Sequence, residues 1–203
     1  SKCSGISLGW SGSGGENLWS RLQTKHGTQR QREVTFEALR IGWSKETIGS
    51  HVVRNNVIYN CEQTGICGNL GGVFSEISGN HIHSIHIKDQ FNGMEIAGIK
   101  LHAPLDTLIR NNHVHNCRRG MWMDWQAQGV RITGNLLYDN SMDDIFVEVS
   151  HGPYVIDNNV LLSPVAFKNM AQGAALAHNL FAGVVALSPV PERYTHYQIG
   201  RAH

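Results

Sequence analysis

An Asn-centred motif returns about once every 20 to 24 residues through most of this 203-residue chain. Its six copies span Asn55–Asn60, Gly79–Ser84, Asn111–Asn116, Gly134–Asp139, Asn158–Ser163 and His178–Gly183. The second residue of every copy is Asn, and successive copies are separated by 24, 32, 23, 24 and 20 residues. A unit this short cannot bury an apolar face alone, so neighbouring units must stack. The repeat therefore predicts an all-β solenoid, a right-handed parallel β-helix of about six coils.

Asparagine suits the corner of such a coil for two physical reasons. It tolerates left-handed backbone angles, and identical Asn side chains one coil apart can form a hydrogen-bonded ladder. The longest interval, from Asn80 to Asn112, has about 8 residues more than a regular coil, and we place this excess at residues 88–94. A loop there would leave the coil, and loops on rigid scaffolds commonly carry binding residues.

The repeat divides the chain into three parts. Residues 1–50 do not repeat and include a predicted short helix at 32–43, residues 51–187 form the solenoid, and residues 188–203 form an extension. Neither end has an evident capping unit, although solenoids normally need them. We therefore expect a piece of a longer protein, with oligomer formation as a further way to cover an exposed edge.

The charge balance excludes several classes of partner. Lys and Arg number 17 against 16 Asp and Glu, so no overall field would attract nucleic acid or an anionic membrane. No apolar run approaches the roughly 20 residues that span a bilayer. Specific recognition must therefore come from a local site.

Two acids occupy equivalent positions on successive coils. Asp124 and Glu148 each lie 11 residues before the ladder Asn of the following copy, Asn135 and Asn159. Alternation along these strands directs the apolar side chains inward and the acids outward. The outward group comprises Asp124, Glu148 and His102, flanked by Lys100, Trp122 and Phe146, with Glu95 entering from the end of the inserted loop.

This outward group has the features of a sugar site. Stacked strands lie about 4.7–4.9 Å apart, and retaining glycosidases hold their two carboxyl groups about 5–5.5 Å apart. Like charges so close raise one pKa, which leaves one carboxylate as nucleophile and the other group as general acid. Trp122 and Phe146 would offer apolar faces to a pyranose, and Lys100 and His102 would bind hydroxyls or stabilise the nucleophile's charge.

Histidines cluster around the corner motifs, at positions 81, 83, 86, 113 and 115. A metal site is conceivable there, but alternating histidines on stacked coils are more typical of a surface ladder. The four cysteines show no paired metal-binding spacing. The sequence therefore predicts neither a metal nor another cofactor.

Three segments together resemble glycoside hydrolase family 120. They are Met94–His102 (MEIAGIKLH), Arg119–Gly129 (RGMWMDWQAQG) and Phe146–Pro153 (FVEVSHGP). The resemblance implies a β-helix enzyme that removes xylose from short β-1,4-xylo-oligosaccharides with retention, without a cofactor. It also implies a bacterial, cytoplasmic enzyme, since such enzymes commonly process imported oligosaccharides.

The resemblance also implies roles for individual residues. The Asp of the Trp-x-Asp-Trp motif, Asp124, corresponds to the nucleophile, and Glu148, which precedes the Val-x-His-Gly segment, corresponds to the acid/base. Glu95 matches a further carboxylate that contacts sugar hydroxyls. We add His151 of the last motif to the predicted substrate-binding residues.

Two alternatives to a glycosidase remain open from the sequence. A polysaccharide lyase would need a Ca²⁺ cluster of acids and a basic residue, for which Lys100 with Arg118 or Arg119 is a poor match. A non-catalytic carbohydrate-binding β-helix would hold sugar on Trp122 without turnover.

Overall fold

The computed structural model describes residues 4–9, 40, 44–47, 49–69, 72–90, 95–150 and 152–188. These residues form 19 short strands in three parallel sheets. In the part of the chain so described, no helix is long and apolar enough to cross a membrane. The architecture is the parallel β-helix that the repeat predicted.

Each coil contributes one strand to each of three sheets, here named A, B and C. Sheet A contains β1 (Ile6–Leu8), β4 (Thr64–Asn69), β7 (Ala97–His102), β10 (Arg119–Asp124), β13 (Asp143–Val147), β16 (Val165–Asn169) and β19 (Val184–Leu187). Sheet B contains β2 (Val52–Arg54), β5 (Glu76–Ser78), β8 (Leu108–Arg110), β11 (Val130–Thr133), β14 (Tyr154–Asp157) and β17 (Ala174–Ala177). Sheet C contains β3 (Val57–Tyr59), β6 (His81–Ile85), β9 (His113–Cys117), β12 (Leu136–Tyr138), β15 (Val160–Leu161) and β18 (Leu180–Phe181).

The solenoid also recruits a strand from the predicted non-repeating segment. β1 pairs in parallel with β4 and so extends sheet A, which the repeat did not predict. Strands β2 to β19 lie within residues 51–187, the predicted solenoid. The predicted helix at 32–43 lies outside the described residues apart from Arg40, and so does the extension from residue 189 onwards.

The core consists of apolar side chains stacked in register from coil to coil. On sheet A the pairing aligns Ile66, Ile99, Met121, Ile145 and Phe167 in one inward column. All five side chains are fully buried. The same alternation that buries this column turns the intervening residues of sheet A outward.

The two roles predicted for the corner asparagines belong to different residues of each pair. The first residue of every copy has a positive φ, as at Asn55 (57°) and Asn111 (53°). The second forms the ladder: Oδ1 of Asn112 accepts bonds from the backbone N and from Nδ2 of Asn80, both at 3.0 Å. Equivalent bonds link all six copies from Asn56 to Asn179.

The inserted residues lie in the predicted interval. Residues 86–96 connect β6 to β7, whereas the equivalent connection from β9 to β10 is the single residue Arg118. Residues 91–94 of this connection are outside the described part of the chain. The insertion leads directly into Glu95 and β7, so it borders the predicted site.

Candidate active site

The predicted site residues lie at the carboxyl ends of three adjacent strands of sheet A. His102 is the last residue of β7 and pairs in register with Asp124, the last residue of β10. Glu148 follows β13, and its backbone N donates to Met123 O at 2.9 Å, which continues the same register. The alignment of His102, Asp124 and Glu148 thus agrees with the coil register read from the sequence.

Lys100 and His102 approach the same carboxylate oxygen of Asp124. Lys100 Nζ donates to Oδ2 at 2.6 Å, and His102 Nδ1 lies 3.5 Å from the same oxygen. The other oxygen, Oδ1, is buried and has no hydrogen-bond partner among the described residues. A carboxyl oxygen without a partner is rare in a protein interior, because its desolvation is not compensated. Oδ1 is therefore the Asp124 oxygen that no described protein group holds.

Glu95 joins the same network from the end of the insertion. Its Oε1 lies 2.8 Å from His102 Nε2, and its Oε2 lies 3.6 Å from Lys100 Nζ. His102 therefore bridges the carboxylates of Glu95 and Asp124. The backbone of Glu95 has a φ of 69°, and its carbonyl accepts a bond from the Thr64 hydroxyl, which anchors the insertion to sheet A.

Burial and the neighbouring charges shift the pKa values of Asp124 and Glu95 in opposite directions. Burial raises the pKa of Asp124 above its ordinary value, although the charges of Lys100 and His102 oppose this, and the Glu148 carboxylate adds a smaller upward contribution. Burial also pushes the pKa of Glu95 upward, but His102 and Lys100 outweigh it, so that this pKa is lowered. The like-charge repulsion expected between Asp124 and Glu148 is thus present but is not the largest cause.

Cationic side chains contact the rings of both Trp122 and Phe146. Lys100 Nζ is 3.6 Å from the centre of a Trp122 ring, and the Arg119 guanidinium is 4.5 Å from the Phe146 ring. The Trp122 and Phe146 rings are 5.6 Å apart and tilted. Lys168 approaches Phe146 to 5.0 Å. This arrangement binds the aromatic and cationic side chains of sheet A to one another.

Two predicted substrate contacts therefore need correction. Lys100 is fully buried and Phe146 is 3% exposed, so neither presents a surface to a sugar. Of the two roles predicted for Lys100, only the stabilisation of the Asp124 charge agrees with this geometry. The open apolar face predicted for Phe146 is absent because Trp122, Arg119 and Lys168 surround the ring. Trp122 and Glu148 are partly exposed, and His151 lies outside the described residues.

Two residues, Arg119 and Gln126, had no role in the sugar site predicted from the sequence. Arg119 pairs with Asp143 of the next coil and lies over both aromatic rings. Extending the coil alignment backward would have found it, because Arg119 and Asp143 are partners in register. Gln126 is buried at 3% exposure, and its Oε1 has no hydrogen-bond partner among the described residues. No sequence signal marks Gln126, because its burial depends on the turn that follows β10.

Comparison with known proteins identifies the architecture and one close structural relative. Residues 34–182 match the family model described as the right-handed β-helix region. The solved complex of XylC with xylose is 52% identical, with a TM-score of 0.80 over 88% of this chain. This chain spans 29% of the length of XylC. XylC is a family 120 glycoside hydrolase, which confirms the family resemblance.

The curated proteins give no match to this chain. The family model covers most of the solenoid, including all three strands whose ends carry the site. The description of this family model specifies a right-handed coil, in agreement with the predicted fold. The chain belongs to the family of right-handed β-helix proteins.

Proposed function

We propose that this chain carries the active site of a retaining glycoside hydrolase that releases xylose from short β-1,4-xylo-oligosaccharides. The observation that carries the proposal is the asymmetric environment of Asp124, in which Lys100 holds Oδ2 at 2.6 Å while Oδ1 has no hydrogen-bond partner among the described residues. The bound xylose in the XylC complex, a relative with 52% identity, supports the choice of sugar.

Asp124 acts as the nucleophile in the first step. Its Oδ1 attacks the anomeric carbon while Glu148 transfers a proton to the glycosidic oxygen, so the bond to the leaving sugar breaks and a glycosyl ester forms on Asp124. Register on adjacent coils favours these two roles, because stacked strands lie about 4.7–4.9 Å apart, close to the roughly 5–5.5 Å between the carboxyl groups of retaining glycosidases. The Lys100 charge opposes the upward shift of the Asp124 pKa and so favours the ionised nucleophile.

Glu148 acts as the base in the second step. It takes a proton from water, whose oxygen attacks the anomeric carbon and releases the Asp124 carboxylate. Two inversions at one carbon give net retention. The partial exposure of Glu148 suits a group that must exchange protons with water, whereas Asp124 is 4% exposed. Glu95 and His102 would orient sugar hydroxyls beside the nucleophile.

A polysaccharide lyase fits this site less well, because its candidate bases already have acidic partners. Lys100 is buried against Asp124 and Glu95. Arg118 pairs with Asp89, and Arg119 pairs with Asp143. Uronate elimination needs an available base beside the substrate. A non-catalytic binding module would hold the sugar without hydrolysing it, so a turnover assay distinguishes it from a glycoside hydrolase.

The proposal is tested by following the stereochemistry of hydrolysis of an aryl β-D-xyloside by proton NMR. Product that appears first as the β-anomer supports retention. A 2-fluoro-xyloside with a good leaving group should label Asp124, as seen by mass spectrometry of the digested chain. Asp124→Asn should abolish both turnover and labelling.

Glu148→Gln separates acid/base loss from loss of the nucleophile. This variant should still accept label from a substrate whose leaving group needs no proton, but it should hydrolyse the ester slowly. Asp143→Asn, which changes another buried acid of sheet A, is the matched control. Inverted product, or a folded wild type that neither turns over nor binds xylose by calorimetry, would contradict the proposal.

A further inference from the structure

Four histidines form a square on the outer face of sheet C, away from the site on sheet A. His81 and His83 come from β6, and His113 and His115 lie beside them on β9 in the next coil. We call these residues the histidine square. His81 is stacked on His113 at 4.6 Å between ring centroids, and His83 is stacked on His115 at 5.2 Å. The proposed function does not use any of them.

The ring nitrogens of three members converge. His81 Nε2 lies 2.9 Å from His115 Nε2 across the diagonal of the square. One nitrogen from each of His81, His113 and His115 lies within 4.8 Å of the others. Two ligands of a tetrahedral zinc ion, each at about 2.0–2.1 Å from the metal, are about 3.4 Å apart. To bind one ion, the His81 and His113 rings, now parallel to within 3°, would tilt toward it from this spacing.

The surroundings hold the rings in this arrangement. The Tyr138 hydroxyl lies 3.1 Å from His113 Nε2, and Ser84 Oγ lies 3.0 Å from His83 Nδ1. Tyr59 and Tyr138 stack on His83 and His115 at the two ends of one column. Hydrogen bonds that fix imidazole orientation are the usual outer-shell support of histidine metal sites.

We propose that His81, His113 and His115 bind a divalent transition-metal ion of the class that prefers imidazole, such as Zn²⁺. The three residues carry neutral nitrogen donors, a set that suits Zn²⁺, Cu²⁺ or Ni²⁺ and does not suit Ca²⁺ or Mg²⁺. Three protein ligands leave a tetrahedral ion one further position for water. Because the ligands come from β6 and β9, the ion would link two successive coils.

The same residues are poorly arranged for a sugar. A pyranose binds on the open face of an aromatic ring, but in this column the ring faces are turned toward one another, from Tyr59 through His83 and His115 to Tyr138. The column presents ring edges and nitrogens outward instead. The chemistry of the square is therefore that of nitrogen donors.

The test is a calorimetric titration of Zn²⁺ into the tag-free, chelator-treated chain at pH 7.5. One ion per chain is expected, together with a higher melting temperature, because the ion crosslinks β6 to β9. His81→Gln and His115→Gln should each weaken binding by about 100-fold or more, since loss of outer-shell support alone costs about 10- to 100-fold. Co²⁺ in place of Zn²⁺ should give the visible absorption of a four-coordinate site.

Two control variants make the result specific. His83→Gln removes a ring of the square without removing one of the three converging nitrogens, so it should retain the one-to-one stoichiometry. His51→Gln changes a histidine outside the square and should have no effect. The proposal is overturned if Zn²⁺ binds only at millimolar concentration, or if His81→Gln and His115→Gln bind it as well as the wild type does.

Discussion

Lys100 Nζ lies 2.6 Å from Asp124 Oδ2, and the lysine side chain is completely buried beneath the outer face of sheet A. Lys100 also lies 3.6 Å from the centre of a Trp122 ring and 3.6 Å from Glu95 Oε2. Its ammonium is thus enclosed by two carboxylates and an aromatic face. A buried charge is tolerated only when such partners compensate its desolvation. The pair holds one oxygen of Asp124, while the other has no hydrogen-bond partner in the described part of the chain.

Lys100→Met should destabilise the chain at neutral pH by about 3–5 kcal/mol, because it leaves a buried carboxylate without its cation. The folded-state pKa of Asp124 is already raised by burial and should rise further in the variant. An acid whose folded pKa is raised favours folding below its unfolded pKa, and this contribution is lost as pH rises through the folded value. The loss caused by Lys100→Met should therefore be smaller at pH 4 than at pH 7 in urea unfolding.

Lys168→Met is the control for the change of residue type. Lys168 also faces outward from sheet A and lies 5.0 Å from the Phe146 ring, but it is partly exposed. Its replacement should cost less than about 1 kcal/mol. Equal losses in the two variants, or a Lys100→Met loss independent of pH, would refute the buried pairing with Asp124.

Asn112→Ala should cost about 3 kcal/mol or more in equilibrium unfolding. The substitution removes the acceptor for two donors of Asn80 and leaves the Ile77 carbonyl without its partner, Asn112 Nδ2. Unsatisfied buried groups each cost about 1–3 kcal/mol. Asn56→Ala, at the exposed end of the ladder, serves as the comparison and should cost less. Similar costs at both positions would show that the ladder is not the source of the stability.

Gly120→Ala should destabilise β10 and lower turnover. A Cβ at Gly120 would lie 2.5 Å from the backbone oxygen of Asp144 in the next coil, so two strands would have to separate. Overpacking of this kind costs about 1–3 kcal/mol. Gly68→Ala is the matched substitution, because its Cβ would meet the Leu101 side chain at 2.9 Å, which can move. Thermal unfolding of both variants compares their losses of stability, and a larger loss in Gly68→Ala than in Gly120→Ala would contradict the prediction.

Arg131→Gln should flatten the acid dependence of stability. The pKa of Asp157 is lowered from 3.8 to about 2, mainly by the Arg131 guanidinium 2.8 Å from Oδ2, with hydrogen bonds from Thr133 and Asn158 adding to the shift. A depressed folded pKa contributes stability above pH 3.8, and this is lost as pH falls towards 2. The variant should be less stable than the wild type at pH 6 and should lose less between pH 4 and pH 2.

Arg54→Gln supplies the control for this acid dependence. Arg54 lies on the same sheet and approaches Glu76 Oε1 only to 3.4 Å, while Ser78 and Arg110 hold the same oxygen more closely. Surface ion pairs of this kind contribute about 0–1 kcal/mol. Unfolding midpoints in urea measured across pH 2–6 compare the two variants, and an unchanged Arg131→Gln profile would exclude the Asp157 linkage.

The sequence predicted the coil, the register of Asp124 with Glu148 and the position of the insertion, because each follows from counting along a repeat. Alternation in a strand has a period of two, so the register of one residue determines which neighbours face outward. The strand β1 was missed because it pairs through a chain separation of about 60 residues and carries no copy of the motif. Gln126 was missed because nothing local marks it.

The sequence by itself determined the solenoid, the outward column of His102, Asp124 and Glu148, and the ladder of asparagines. The tertiary structure decided how deep each outward residue lies, since Phe146 and Lys100 are buried although they face away from the core. It also decided that Lys100 and His102 meet the same oxygen of Asp124. The reason is physical: periodicity specifies direction, whereas burial and charge pairing depend on side chains from several coils that pack over one another.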